Sequence, residues 1–508
     1  DAPAEVDAAP GQHGLVVPGV IAAPLRDPDA RERIGLARER DVPVPVMAEV
    51  NVRYRRSTSA AFARVEALWA RVSGEAGPAP LRVASQYLAG ELSMNQVECL
   101  VAADAVPIDW PDRSIFRVWP DFPVHPHVDA SFHTIEVDAA RQTFKAFGKG
   151  IVWAVIDTGV AAEHPHFTAY QTLTHPTVAD LHRCFIAAGP PTECAALVDT
   201  DGHGTHVAGI IAGAVKPWLD EQPGRSVYAT ESRHNAKNAR VPLRAPRAVE
   251  EPENLAGMAP LARLVSLRAL GGGGTVEDRV HRVIQALSYV REVNGDSVDS
   301  MRIHGVNLSV GYEFDPEWFA CGRSPLCQEV DKLVNSGVVV VTAAGNSGYG
   351  ALAVAMEAPT TFGLGMTIND PGNAARAITV GSTHRTDPSA YGVSYFSSKG
   401  PTGDGREKPD LVAPGERITS CAAGANLTAA VGAQAPADTA VYVEESGTSM
   451  AAPHVSGAIA ALLSVRTPLI GEPDEVKSIV VGAAKNLHRR REFQGAGLLN
   501  LFDALDQA

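Results

Sequence analysis

An α/β fold on a mostly parallel sheet is predicted by three features of this 508-residue chain. Lys149 to Ile156 and Gly337 to Thr342 are almost continuously apolar, as strands covered on both faces are. A helical pattern lies between them: Val280, Val283, Ile284, Leu287 and Val290 share one face of Val276 to Val293. The first strand closes on Asp157, and in open α/β sheets the binding crevice lies at the carboxyl ends of the strands.

Composition narrows the class. The length allows a large core and more than one domain. Hydrophobic residues at 45% and charged residues at 20% are ordinary for a globular chain. A net charge of −14 argues against a general nucleic-acid partner. No apolar run reaches the ~18 residues of a membrane helix, and Val207 to Val215 is stopped by Lys216-Pro217. The chain does not open on a methionine or a basic-then-apolar leader, which leaves open whether one preceded Asp1. Of six cysteines, Cys184/Cys194 and Cys321/Cys327 are close enough for small-loop bridges, with reduced, partly buried thiols as the alternative. No C-x-x-C pair favours zinc.

In chain order, residues 1–42 are rich in Ala, Pro, Asp and Arg and read as largely extended, with a turn or two of helix at Ile34 to Arg40. Residues 43–128 read as strand (Val44 to Tyr54), helix (Ala60 to Val72), strand (Leu81 to Leu92), helix (Met94 to Ala103) and strand (Ile115 to Val118), a small α+β unit. Residues 129–508 form the main domain. Within it His206 to Ala214 and Asp474 to Ala483 read as helices. Leu264 to Leu270, Val306 to Gly311, Ala377 to Gly381 and Leu411 to Pro414 read as strands. Lys216 to Asn254 and residues 350–373 read as surface loops, and Gly271 to Gly274 as a flexible connection rather than a phosphate loop.

Three stretches carry chemistry. Asp157-Thr158-Gly159 ends a buried strand. Asp199 to Gly209 sets His203 and His206 at a helix start. Gly447-Thr448-Ser449-Met450-Ala451 puts a hydroxyl at the N-terminus of an apolar helix, where free N–H groups stabilise developing negative charge. Taken singly, each has a plainer reading: a turn aspartate, loop or N-cap residues, an N-cap serine.

Together, in the order Asp, His, Ser, they closely resemble the subtilisin-like serine peptidases, over about residues 145–500. Ser397-Ser398-Lys399-Gly400-Pro401 and Lys408 to Gly415 match the family's patterns too. The resemblance implies a three-layer subtilisin-like fold and an endopeptidase with Asp157, His203 and Ser449 as its triad. His203 is preferred over His206 because it fills the family's position between two glycines, and His454 is a structural helix residue. Asn346, in Ala343-Ala344-Gly345-Asn346, takes the oxyanion-hole place. Ser309, Val310, Gly311, Ala343, Ala344 and Gly345 take the substrate-pairing places, with strand addition as the mode. Tyr312 stands where the family usually has glycine, which puts the side-chain preference in doubt.

By the same resemblance, residues 43–128 are a ferredoxin-like inhibitory prodomain, with a tail at about Arg117 to Val128 and self-cleavage between Pro120 and Ser131. The expected partners are protein or peptide substrates and this prodomain, with neither nucleic acid nor membrane. Export is expected, with the cytoplasm as the alternative. No cofactor is required, and structural calcium is expected only by family analogy. His164-Pro165-His166 and His125-Pro126-His127 are weak metal candidates. The competing function is a catalytically silent binding module on the same fold.

Overall fold

The computed structural model describes residues 19–33, 36–74, 77–83, 86–106, 109–120, 131–186, 195–221, 224–233, 243–247, 249, 251–271, 278–313, 320–352, 360–432 and 438–508. The chain divides into two compact units, Asp1–Pro126 and His127–Ala508.

The first unit is built on β1 (Pro43–Val50), where Val44, Val46, Ala48 and Val50 alternate inward. Then follow α1 (Thr58–Ser73), β2 (Leu81–Val83), β3 (Tyr87–Ser93), α2 (Met94–Asp104) and β4 (Ile115–Pro120). The sheet order is β2-β3-β1-β4 with antiparallel pairings. The single strand expected over Leu81 to Leu92 is in fact two, β2 and β3. Ser57 caps α1 through its hydroxyl, and α2 opens on a capping box between Ser93 and Gln96. Phe62, Val65 and Trp69 of α1 are buried in the unit's core.

The N-terminal extension departs from expectation where it is described. Ile21 bridges Val118, and short helices run over Ala23–Arg26 and Pro28–Arg33, upstream of the turn expected at Ile34 to Arg40. Ile21 and Leu25 are fully buried. Two apolar residues among prolines are enough to dock the segment.

The second unit holds a seven-stranded sheet. Its strands are β5 (Val152–Asp157), β6 (Arg183–Cys184), β9 (Arg263–Arg268), β10 (Gly305–Leu308), β11 (Val339–Ala343), β14 (Ile378–His384) and β15 (Leu411–Glu416). The order is β15-β14-β11-β10-β5-β9-β6, and every pairing is parallel. Side chains of β5 alternate between two cores. Trp153 and Val155 join the core holding α3 (His203–Ile211) and α6 (Thr448–Val465). Ala154 and Ile156 join the core holding α4 (Val280–Asn294) and α5 (Pro325–Asn335). A sheet between two helical layers is the three-layer architecture expected. Helix α6 passes the length and apolarity test for a membrane span, but it is buried against the sheet.

Two expected loops contain strands. Within Lys216 to Asn254, β7 (Ser226–Arg233) and β8 (Leu243–Arg247) form a sheet with β16 (Ile418–Cys421) and β17 (Thr439–Glu445), in the order β16-β17-β7-β8. Edge pairing to β17 satisfies backbone groups that a polar sequence hides from a periodicity search. Within 350–373, β12 (Tyr349–Leu352) pairs with β13 (Thr360–Gly363). Cys184 is disulfide-bonded, whereas Cys321 and Cys327 are buried free thiols, so their bridge does not form. Cys421 is also free and buried, and Cys99 is free and exposed. Cys194, residues 272–274 and residues 121–128 of the expected tail lie outside the described residues.

Candidate active site

The carboxyl end of β5 delivers Asp157, which is 1% exposed. Its Oδ1 lies 2.8 Å from His203 Nδ1 and accepts the Thr158 N–H at 2.8 Å. Its Oδ2 is buried without a partner among the described residues. His203 is the first residue of α3, entered through Gly202 at φ 106°. Glycine is also required at 204: a Cβ there would stand 2.2 Å from the Gly159 carbonyl, so the helix could not approach Asp157.

Asp199 organises this approach. Its buried carboxylate accepts the Thr158 hydroxyl at 2.9 Å, the Gly202 N–H at 2.8 Å, and the Thr205 N–H and hydroxyl at 2.9 and 2.7 Å. Negative charge at a helix N-terminus is stabilising there. Burial pushes the His203 imidazole down, but Asp157, through charge and hydrogen bond, with Asp201 and Asp199 behind it, raises it to about 9.

Ser449 is the second residue of α6. Its hydroxyl donates to the Ser309 carbonyl at 3.1 Å. Pro453, four residues on, has no N–H, so the Ser449 carbonyl lacks its helical partner. The Ser309 hydroxyl supplies one at 2.8 Å. Behind it, Asn307 Nδ2 donates to Ser309 Oγ at 2.9 Å, and Ser456 Oγ donates to Asn307 Oδ1 at 2.8 Å. This relay runs from the third turn of α6 through β10 to its first turn; Ser456, Asn307 and Ser309 are buried, and it reaches the cleft at Ser449. Asn307 and Ser456 were not singled out from the sequence. The signal available was a lone polar residue inside each apolar run.

Asn346 follows β11. Its Oδ1 accepts the Thr448 N–H at 2.9 Å and hydroxyl at 3.1 Å, which leaves the amide N–H groups to donate. His203, Ser449 and Asn346 line one cleft of about 660 Å³, together with Ser309, Val310, Gly311, Ala343 and Gly345. Ala344 does not line it: its N–H is spent on the Val380 carbonyl at 2.9 Å, and its side chain is buried. Tyr312 lines the cleft and exchanges backbone hydrogen bonds with Asp370 at 2.9 and 3.0 Å.

Four further buried histidines, His164, His166, His206 and His454, are held by hydrogen bonds of the scaffold. His206 Nε2 meets the Ile418 and Val443 carbonyls, and His454 bridges Met450 and Ser131. His164 meets the Val441 carbonyl, and His166 meets Tyr442 and Gly209. Burial holds His164 and His454 near 4 and His206 and His166 near 3. Among the described residues no three of His, Cys, Asp or Glu cluster as a metal site. His125 and His127 lie outside them.

A carboxylate, an imidazole, a hydroxyl at a helix start and an amide donor meet around one cleft, the groups a serine-nucleophile site is built from. A model of the subtilase family matches residues 148–498, and the chain belongs to that family. It is 29% identical over 381 residues to serine protease AprX of Bacillus subtilis, covering 72% of this chain and 68% of that one. It is 28% identical over 357 residues to Subtilisin Savinase of Lederbergia lenta, covering 70% and 90%. Pyrolysin of Pyrococcus furiosus is 32% identical over 320 residues, which are 56% of this chain and 19% of that much longer protein.

Proposed function

We propose that this chain is a serine endopeptidase whose triad is Asp157, His203 and Ser449. The observation that carries the reading is the 2.8 Å contact between Asp157 and the imidazole at the cleft that Ser449 also lines. His203 Nε2 takes the Ser449 proton as the hydroxyl swings off the Ser309 carbonyl and attacks the scissile carbonyl carbon. The oxyanion accepts from the Asn346 amide and the Ser449 N–H. The imidazolium then protonates the leaving amine, and water, deprotonated by the same ring, hydrolyses the acyl-enzyme. Ser309 to Gly311 pair with an extended substrate backbone, and Ala343 and Gly345 line the cleft beside it. No cofactor enters the chemistry, and calcium, if bound, has a structural role.

The chain is made as a zymogen, with residues 43–128 as the intramolecular inhibitor. Support comes from a separate core around β1 to β4. Export is supported by the disulfide at Cys184, which needs an oxidising compartment.

A fluorophosphonate probe tests the chemistry. Ser449-dependent labelling is expected; no labelling, even after limited proteolysis, identifies a silent binding module. Edman sequencing of the active protein tests the zymogen: a new N-terminus between Pro120 and Ser131 is expected, and full activity from an uncut chain refutes it.

A further inference from the structure

Lys399 carries a buried charge that this reaction does not use. It is 6% exposed, and its Nζ donates to the carbonyls of Gly348 at 3.1 Å, Tyr395 at 3.0 Å and Ser397 at 2.9 Å. All three N–H groups are thereby satisfied by main-chain oxygen. Among the described residues no carboxylate is paired with it, and burial alone lowers its affinity for the proton. The face of the Phe493 ring lies 5.5 Å away. An ammonium taken out of water without a counter-charge is costly, and here only carbonyl dipoles and a ring face offset that cost.

The carbonyls come from two segments. Gly348 lies two residues beyond Asn346, in the turn that follows β11. Tyr395 and Ser397 lie in a second stretch, which clasps that turn. Gly348 N–H donates to Phe396 at 3.0 Å, Ser398 N–H to Gly345 at 2.8 Å, and Ser347 N–H to Ser398 Oγ at 3.1 Å. The fit is close: a Cβ on Gly348 would stand 1.9 Å from the Ser397 carbonyl and 2.6 Å from Nζ.

We propose that Lys399 is a positioning residue. Its ammonium fills a seat of main-chain oxygens suited to a monovalent cation, and so holds the Asn346 turn where the side-chain amide donates into the cleft. The inference rests on the reading of Asn346 as the oxyanion donor. The lysine acts as a tethered ion, and the empty seat would accept ammonium or potassium.

Lys399→Met keeps the volume and removes the charge, whereas Lys399→Ala opens the seat. Both are expected to lower kcat on a peptide amide about 10- to 100-fold, with KM little changed. Affinity for a peptide boronate, which forms a tetrahedral adduct on serine, should weaken by the same factor, while affinity for a product peptide holds. Ammonium or potassium chloride should restore Lys399→Ala, and tetramethylammonium chloride of equal ionic strength should not. If Lys399→Ala does not fold, Lys399→Met decides alone through kcat and boronate affinity.

Unchanged kcat and boronate affinity in Lys399→Met, with Asn346→Ala about 100-fold or more impaired, overturns the proposal and leaves the oxyanion reading standing. So does a loss of kcat matched by product-peptide affinity and insensitive to the cations. An unimpaired Asn346→Ala removes the oxyanion reading, and the proposal falls with it.

Discussion

Asp157 orients the His203 ring and raises its proton affinity. In the proposed reaction only the neutral ring can take the Ser449 proton, so activity is expected to rise as pH climbs through the imidazole's range. The expected acid limb of kcat/KM lies above 6.5, towards about 9, and Asp157→Asn moves it down while cutting kcat. A limb that stays put in Asp157→Asn refutes this pairing. The same shift has a stability sign: a raised folded-state value contributes stability that is fully present below 6.5 and lost as pH rises through about 9. The buried relay behind Ser449 invites a second measurement. Asn307→Ala removes the donor to Ser309 Oγ and leaves the buried Ser456 hydroxyl without its acceptor, a cost of about 1–3 kcal/mol in urea unfolding. It should lower kcat more than it alters KM, whereas Ser456→Ala, at the far end of the relay, should do less of both.

At the scale of elements, α3 and α6 bring His203 and Ser449 to one cleft, and at Gly457 α6 passes close to the last residue of α3. A Cβ there would lie 2.6 Å from Met258 Cβ and 3.0 Å from the Ile211 carbonyl. Gly457→Val should therefore destabilise the fold by about 1–3 kcal/mol, read from the urea midpoint. The principal sheet strands were legible because double-sided burial forces continuous apolar runs, as at Val339 to Thr342. Asp157, His203 and Ser449 stood out only through the resemblance of their three blocks taken together, since each block alone has a plainer local reading; the structure sets Asp157 against His203 and brings His203 and Ser449 to one cleft. Strands β7 and β8 were not, since their backbone pairing does not depend on an apolar pattern. Ile21 and Leu25 were hidden for a related reason: their burial depends on tertiary partners, not on local periodicity. Lys399 was seen only as part of a motif, because nothing local shows that its ammonium is out of water.

Over the whole molecule, burial of neutral histidines sets the response to acid. His164, His166, His206 and His454 hold values near 3 to 4 when folded, against 6.5 when exposed. The unfolded chain therefore binds more protons across that window, and stability falls as pH drops from 6.5 towards 4. The urea midpoint of the second unit should drop steeply across this interval, and a flat profile contradicts the assignment.

The free thiols divide sharply by accessibility: Cys321, Cys327 and Cys421 are sealed in, while Cys99, on α2 of the first unit, faces solvent. A maleimide dye applied to the native protein therefore marks that helix ahead of those three. On a gel, the colour would follow either the full-length band or a small fragment, and the fate of the N-terminal quarter could be watched directly.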